Sequence, residues 1–118
     1  MKFNKLVPEL TVSSFEKSLK FYTKTLGFKV EYQRKNPNFA FLSFQGSQIM
    51  IEEKHDCAPE WVTGKLKRPF GRGINFQIEV KDVKALAKRI KKSPAVERIN
   101  DNDIFRPPTM KKIGVIIA

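Results

Sequence analysis

The sequence predicts an α+β fold in which one chain of 118 residues contains two βαβββ units. A strand pattern changes to a helical pattern after residue 12, three alternating segments follow, and strand-then-helix recurs from residue 73. Turn-rich sequence between residues 54 and 73 separates the two patterns. The single domain, 1–118, is therefore divided into unit one at 1–56, a connection at 57–72 and unit two at 73–118.

The first strand and helix follow from that change of period. Leu10 and Val12 alternate with polar neighbours, as on a half-buried strand. The apolar stripe of the following helix consists of Phe15, Leu19, Tyr22 and Leu26. Ser13 stands three residues before Glu16, which is the spacing of a capping box. Gly27 stands where the end of a helix needs a left-handed residue.

Three strands are predicted after this helix. They are Phe28–Arg34, Phe39–Phe44 and Gln48–Glu53. The turn sequences Asn36-Pro37-Asn38 and Gln45-Gly46-Ser47 separate them. Because connections this short join antiparallel neighbours, the segment 28–53 predicts an antiparallel meander.

A second strand and helix are predicted in the C-terminal half of the chain. Gly73–Val80 alternates like a strand, and Asp82 is placed to cap a helix. The apolar face of that helix consists of Val83, Leu86, Ala87 and Ile90. A shift of 68 residues places Val12 on Val80 and Ser14 on Asp82. The pattern therefore indicates an internal duplication.

Composition restricts the class of protein. No apolar run approaches the roughly 20 residues of a membrane span, and the N-terminus lacks a secretory apolar region, so we expect a cytoplasmic protein with no membrane partner. A single cysteine excludes an internal disulfide. The net charge is +11, and residues 61–118 carry fourteen of the 23 basic residues but five of the 12 acidic ones.

The basic charge leaves a nucleic-acid-associated protein as an alternative. Lys84, Lys88 and Lys91 fall on one face of the second predicted helix, which suits phosphate contacts. The same spacing is typical of a solvated helix face, and no nucleic-acid-binding motif accompanies it. We therefore do not expect a nucleic-acid partner.

The leading strands predict a polar sheet face opposite each helix, which suits a concave surface that binds a small molecule. In the first strand Glu9 and Thr11 face away from the helix, and in the second Asn75 and Gln77 do so. The residues expected to line the ligand site are Phe39, Phe41, Met50, Glu52, Asn75 and Gln77, with Trp61 as an aromatic wall. Ordinary core packing is the alternative for Phe39 and Phe41.

No catalytic residue is predicted. His55-Asp56-Cys57 contains the only histidine and the only cysteine, and it is interpreted as a surface loop. A nucleophilic cysteine–histidine pair would need an orienting group and an oxyanion site, and the sequence indicates neither. Gly71-Arg72-Gly73 lacks the following helix that a phosphate-binding loop requires.

Three segments in combination resemble the bleomycin-resistance branch of the vicinal oxygen chelate superfamily, which includes glyoxalase I, extradiol dioxygenases and fosfomycin-resistance enzymes. The segments are VPELTVSSFEKSLKFYTKTLGF, FAFLSFQGSQIMIEE and GRGINFQIEVKDV. The resemblance implies paired βαβββ modules whose sheets curl around a cavity, and it implies a protein that commonly dimerises. It covers about Leu6 to Ile90.

The resemblance also implies where enzymes of the superfamily hold a divalent metal. Carried over to this sequence, those positions are Val7, Glu52 and Asn75, and the last ligand has no clear equivalent. Because Val7 cannot ligate a metal, no metal and no cofactor are expected. We expect a non-enzymatic protein that binds a small molecule, such as a bleomycin-like antibiotic. The alternatives are a metal-dependent glyoxalase or dioxygenase of the superfamily and a degenerate, non-functional paralogue.

The C-terminal sequence departs from the pattern that the resemblance implies. Ala95–Ile99 and Ile113–Ile117 are predicted strands, but Pro107-Pro108 interrupts the segment between them and the expected turn is missing. We therefore expect an incomplete or atypical second unit. An unpaired sheet edge would favour a homodimer, with strand exchange as one route to it.

Overall fold

A computed structural model describes residues 2–55, 64–65 and 76–92 and the backbone of residues 112–115. Its elements are β1 (Glu9–Val12), α1 (Phe15–Lys20, continued by a π-helical segment at Phe21–Leu26), β2 (Lys29–Arg34), β3 (Phe39–Phe44), β4 (Ser47–Glu53), β5 (Phe76–Glu79), α2 (Val83–Lys92) and β6 (Lys112–Val115). All of the predicted connection except residues 64–65 lies outside the described residues, as do Trp61, Asn75 and the strand predicted at 95–99.

The first four strands form one mixed sheet in the order β1-β4-β3-β2. The pairs β2–β3 and β3–β4 are antiparallel, which confirms the predicted meander, and β1 runs parallel to β4. The hairpin between β3 and β4 turns at Gln45 and Gly46, whose φ angles are 47° and 90°. Consecutive left-handed residues match the twist of a two-residue hairpin.

The start of α1 corrects one prediction. Ser14, not Ser13, is the N-cap, and its Oγ accepts a hydrogen bond from the backbone N–H of Lys17 at 3.4 Å. Ser14 has an extended backbone directly before the first helical residue, so Ser13 lies one position too early to reach that donor. The end of the helix is as predicted, since Gly27 has a left-handed φ of 95°.

Both helices contribute to one hydrophobic core. The buried residues are Leu10, Val12, Phe15, Tyr22, Leu26, Phe28, Ala40, Leu42, Ile49, Ile51, Val80, Val83, Leu86 and Ile90. The guanidinium of Arg89 on α2 also donates to the carbonyl of Lys24 in the π-helical segment, from Nη2 at 2.8 Å and from Nε at 3.2 Å. The described part of the second unit is therefore packed against the helix of the first.

The predicted duplication is visible in the helix caps. The Ser14 Oγ accepts from the N–H of Lys17, and the Asp82 Oδ1 accepts from the N–H of Ala85 at 3.0 Å. Donor and acceptor in the second pair each lie 68 residues after those in the first. The buried residues Val12 and Val80 are related by the same shift. The strand-to-helix junction of the second unit thus repeats the capping hydrogen bond of the first.

The second unit differs from the first at its sheet. β5 pairs with β6 in an antiparallel two-stranded sheet, in which Phe76 lies opposite Val115 and Glu79 opposite Lys112. In the first unit the leading strand has a parallel neighbour. The described part of the second unit is therefore atypical, as the C-terminal sequence predicts. Within the described residues, no helix has the length and apolar character needed to cross a membrane.

Candidate functional site

The sheet face opposite α1 carries two rows of side chains that alternate with the core residues. The strand register aligns Glu9, Met50, Phe41 and Tyr32 in one row and Thr11, Glu52, Phe39 and Arg34 in the next. This surface, called here the aromatic–carboxylate face, has acidic groups on β1 and β4 and aromatic rings on β2 and β3. It therefore places polar and apolar recognition elements side by side.

The aromatic half of this face is layered. Phe39 and Phe41 are only 3% and 2% exposed, although neither belongs to the core beneath the helices. Tyr32, which is 40% exposed, stacks on Phe41 with ring centroids 5.4 Å apart and an interplanar angle of 13°. The Arg34 guanidinium lies 4.1 Å from the centroid of Phe39. The accessible aromatic surface is therefore that of Tyr32.

A β-bulge explains why Tyr32 is on this face. Val30 pairs with Leu42, whose side chain is in the core, but Tyr32 pairs with Phe41 on the opposite face. Simple alternation would put Val30 and Tyr32 on the same side of β2. The extra residue, Glu31, reverses the pattern, and its Oε1 accepts a hydrogen bond from the Ser43 hydroxyl at 2.6 Å.

The acidic half of the face contains two neighbouring carboxyl groups, Glu9 and Glu52, whose pKa values are shifted in opposite directions. A hydrogen bond with Glu52, together with partial burial and the charge of Glu52, raises the pKa of Glu9 to about 7. The same hydrogen bond is the largest cause of the lowered pKa of Glu52, and His55 acts in the same direction. Two nearby carboxyl groups cannot both ionise easily, so one holds the proton and the other the charge.

His55 extends this pair into a three-residue cluster. Its Nε2 lies 2.9 Å from the Oε1 of Glu52, and both side chains are partly buried. His55 lies in irregular backbone just after β4, in line with the predicted loop, and its ring turns back onto Glu52 of that strand. Asp56 and Cys57 lie outside the described residues.

The N-terminal strap, residues 2–8, lies across one end of the aromatic–carboxylate face. Gln48 fixes it, since its Oε1 accepts from the N–H of Asn4 at 2.7 Å and its Nε2 donates to the carbonyl of Lys2 at 2.7 Å. The Phe3 ring meets Phe41 edge-on with centroids 5.1 Å apart, but Phe3 remains 56% exposed. A ligand therefore reaches the ring of Phe41 only where Phe3 or Tyr32 gives way.

A separate cavity of about 200 Å³ lies between the two units. Its walls come from the strap, the first helix, β4 and β5, and they comprise Asn4, Pro8, Tyr22, Phe28, Ser47, Gln48, Ile49, Phe76, Gln77 and Ile78. This volume is below the roughly 300–1,000 Å³ of typical small-molecule pockets. The cavity admits a fragment rather than a complete antibiotic.

Five of the seven predicted ligand-binding residues are described by the structure, and they lie in two places. Register brings Phe39 opposite Glu52 and Phe41 opposite Met50, so these four form one block. Gln77 lies at the separate cavity. Trp61 and Asn75 lie outside the described residues. Their role in ligand binding remains a prediction.

Sequence reasoning missed several residues of this face, and the reasons differ. Glu9 was predicted to face away from the helix, and it is the counterpart of Gln77 under the 68-residue shift, so the signal was available. Tyr32 required knowledge of the bulge. Phe3 required the position of the strap, which no periodic pattern predicts.

The described residues do not fit the divalent metal that the resemblance implies. Val7 offers no donor, and among residues 2–55, 64–65 and 76–92 no three His, Cys, Asp or Glu side chains are arranged to hold a metal ion. Glu9 and His55 instead engage Glu52 by hydrogen bonds. The expectation that the protein holds no metal stays a prediction, and Asn75 lies outside the described residues.

Solved structures that match this chain include an integron cassette protein from the mobile metagenome of the Halifax Harbour sewage outfall. It is 22% identical, the match covers 75% of this chain and 70% of that chain, and the TM-score is 0.49. A second is a glyoxalase/bleomycin resistance protein/dioxygenase superfamily member from Vibrio splendidus 12B01. It is 26% identical, the match covers 92% of this chain and 93% of that chain, and the TM-score is 0.40. A third is the fosfomycin resistance protein FosX from Listeria monocytogenes. It is 20% identical, the match covers 77% of this chain and 64% of that chain, and the TM-score is 0.46.

A comparison with curated proteins found no match. The pattern of one family, the Glyoxalase/Bleomycin resistance protein/Dioxygenase superfamily, matches residues 2–98. This match covers most of the chain, including β1 to β5 and α2, and it ends before β6. The chain belongs to the Glyoxalase/Bleomycin resistance protein/Dioxygenase superfamily.

Proposed function

We propose that the protein binds a small organic molecule on its aromatic–carboxylate face without chemical turnover, and that the ligand is a bleomycin-like antibiotic. The observation that carries the proposal is the alignment of the Glu9–Glu52 pair with the stacked rings of Tyr32 and Phe41. A few polar groups with shifted pKa values beside an apolar surface are typical of a ligand site.

The chemistry of this face favours a ligand that combines a cation with an aromatic ring. The lowered pKa of Glu52 keeps its carboxylate charged at neutral pH, and Glu9 shares the remaining proton. A ligand ammonium or amide can donate to this pair. The exposed ring of Tyr32 provides the surface on which a flat ligand group stacks. These carboxyl groups make the face locally acidic, although the chain as a whole has a net charge of +11.

The strap is expected to oppose entry of the ligand. Phe3 occupies the space above Phe41, so an aromatic ligand group has to displace the Phe3 ring before it contacts Phe41. The phenyl ring is mostly exposed, which makes its displacement cheap compared with that of a core side chain. We therefore expect Phe3→Ala to tighten binding of an aromatic ligand several-fold.

Calorimetric titration of metal-free bleomycin into the purified protein tests the proposal. Glu52→Gln and Tyr32→Ala are each expected to weaken binding about tenfold, which corresponds to ~1.4 kcal/mol. Glu16→Gln on the helix side is the matched control and is expected to bind like the parent protein. Phe3→Leu, which keeps an apolar side chain over Phe41, is the control for Phe3→Ala and is expected to change binding less.

Two results would contradict the proposal. One is the absence of bleomycin binding by the folded protein at millimolar concentration. The other is a stoichiometric metal in the purified protein together with turnover of a glyoxalase or dioxygenase substrate, which would establish the enzymatic alternative. Metal content is measured by atomic emission on the same preparation.

The proposal includes a homodimer as the working form of the protein. The large apolar side chains that are exposed among the described residues, Phe3, Leu6 and Tyr32, all belong to the strap or the aromatic–carboxylate face. A second chain that covers them would remove apolar surface from water and enclose the ligand site. Light scattering coupled to size exclusion is expected to give twice the 13.6 kDa chain mass. A monomer at 100 μM would contradict this part.

A further inference from the structure

The cavity between the two units is lined by a buried tyrosine, Tyr22. This residue is 3% exposed and shares the cavity wall with residues of the strap, β4 and β5. Burial raises the pKa of its hydroxyl above the ordinary value, so the phenol keeps its proton at neutral pH. A protonated phenol can donate a hydrogen bond. The cavity wall therefore contains a hydrogen-bond donor whose state does not change over the physiological range of pH.

The Tyr22 hydroxyl has no hydrogen-bond partner among the described residues. The ring of Tyr22 meets Phe21 and Phe28 edge-on, with centroids 5.2 Å and 5.7 Å apart. In the described part of the chain, no completely enclosed side-chain nitrogen or oxygen lacks a partner. The hydroxyl is therefore not sealed in the core but reaches open space, and the open space that Tyr22 lines is the cavity.

A tyrosine at this position is informative because phenylalanine would fill the same volume without the cost of burying a hydroxyl. That cost is offset only where the hydroxyl forms a hydrogen bond, and buried tyrosine hydroxyls usually have one. Tyr22 also lies in the π-helical segment, and this rare helix geometry occurs frequently at functional sites. Both observations favour a hydrogen-bond partner that a bound molecule supplies.

The rest of the cavity wall restricts this molecule to one that is small and uncharged. None of the described lining residues carries a charge, so an ion would enter without a counter-charge. Much of the wall is apolar, with contributions from Phe28, Ile49 and Phe76. The volume of about 200 Å³ exceeds the roughly 150 Å³ of an engineered apolar cavity in another protein that binds benzene. One ring with a short substituent therefore fits.

We propose that the cavity is a second ligand site, which binds a small, uncharged one-ring molecule through a hydrogen bond from the Tyr22 hydroxyl to a ketone or amide oxygen. The site is separate from the aromatic–carboxylate face, because its wall residue Ile49 lies in the core while Met50 lies on that face. Gln77, which is exposed on β5, offers an amide at the same cavity for a second polar group. The proposal does not depend on the function proposed for the aromatic–carboxylate face.

Titration of acetophenone into ¹⁵N-labelled protein, followed by the NMR shifts of the backbone amides, tests the proposal. The largest shifts are expected at residues 47–49 and 76–78, which line the cavity. Tyr22→Phe is expected to weaken acetophenone binding about fivefold, the effect of one neutral hydrogen bond. The same variant should bind α-methylstyrene like the parent protein, because this molecule has nearly the shape of acetophenone but no acceptor. Benzoate, which is charged, is expected to bind at least about tenfold more weakly than acetophenone.

Tyr32→Ala distinguishes the two sites, because it removes the exposed ring of the aromatic–carboxylate face. Weaker acetophenone binding by Tyr32→Ala would place the probe on that face and overturn the proposal. The absence of saturable binding at millimolar acetophenone, equal losses of acetophenone and α-methylstyrene affinity in Tyr22→Phe, or benzoate binding as tight as that of acetophenone would overturn it as well. If Tyr22→Phe does not fold, nuclear Overhauser effects in the parent protein decide the question. Contacts of the acetophenone methyl group with the rings of Phe28 and Phe76 would support the site, and their absence would overturn it.

Discussion

In the N-terminal unit the leading strand β1 lies beside β4 and runs parallel to it, whereas in the C-terminal unit β5 lies beside β6 and runs antiparallel. The strand-to-helix junctions that precede these pairings are nevertheless alike, with Ser14 and Asp82 capping equivalent N–H groups. The same strand-to-helix junction can therefore belong to units whose leading strands pair in opposite directions.

The difference teaches which part of a βαβββ unit is encoded locally. A cap and an apolar stripe act over a few residues, so they survive whenever those residues are kept. A parallel neighbour for the first strand requires an odd number of hairpin-connected strands after the helix, because each hairpin reverses the direction. In the first unit the turns at Pro37 and Gly46 provide two such reversals. β6 has the direction of β3 in the first unit, not that of β4.

The largest expected effect tests whether the second unit contributes to the core as strongly as the first. Leu42 and Ile90 are both fully buried, one in β3 and one in α2. Leu42→Ala and Ile90→Ala are each expected to lower the free energy of unfolding by about 2–5 kcal/mol. Urea denaturation followed by circular dichroism should show one transition in each variant. An unchanged midpoint for Ile90→Ala would mean that α2 is not part of the common core.

A smaller effect tests the equivalence of the two caps. The Asp82 bond is shorter than the Ser14 bond, at 3.0 Å against 3.4 Å, and its carboxylate also lies at the positive end of the helix dipole. We expect Asp82→Ala to cost about 1–2 kcal/mol and Ser14→Ala about 0.5 kcal/mol. Thermal unfolding at low salt measures both. A larger loss from Ser14→Ala would reverse the order, and Ser13→Ala, at the non-capping serine, serves as the neutral control.

The helices, the meander and the two faces of β1, β3 and β4 could be predicted because their causes are periodic and local. Alternation correctly separates Ile49 and Ile51 in the core from Met50 and Glu52 on the other face. The same reasoning placed the cap one residue early, because Ser13 and Ser14 are chemically identical in the sequence. Only the backbone conformation at residue 14 distinguishes them.

Of the candidate site, the sequence could predict only the four neighbouring residues of β3 and β4, which are Phe39, Phe41, Met50 and Glu52. Tyr32 depends on one bulged residue, which changes the face of every side chain beyond it on β2. His55 and Phe3 reach the face through hydrogen bonds and ring contacts outside any regular element. The β5–β6 pairing joins segments about 35 residues apart, a distance over which local patterns specify no register.

The smallest expected effect concerns the carboxyl pair, which exists in only one of the two units because Gln77 replaces Glu9 under the 68-residue shift. The raised pKa of Glu9 means that the folded protein binds this proton more tightly than the unfolded chain. The resulting stabilisation is complete below pH 4.5 and is lost as the pH rises to about 7. The lowered pKa of Glu52 acts in the opposite sense and is lost only at more acidic pH.

Glu9→Gln removes this titration while it keeps a group that can donate to Glu52. Relative to the parent protein, the variant is therefore expected to gain stability between pH 5 and pH 8, by less than ~1 kcal/mol because Glu9 is partly screened by solvent. Melting temperatures of both proteins at the two pH values measure the difference. Glu52→Gln is the matched test, since it removes the negative charge that helps to raise the pKa of Glu9 and leaves only a neutral amide oxygen as acceptor. If the Glu9 carboxyl signal in NMR still titrates near pH 7 in Glu52→Gln, burial rather than proton sharing controls the pair.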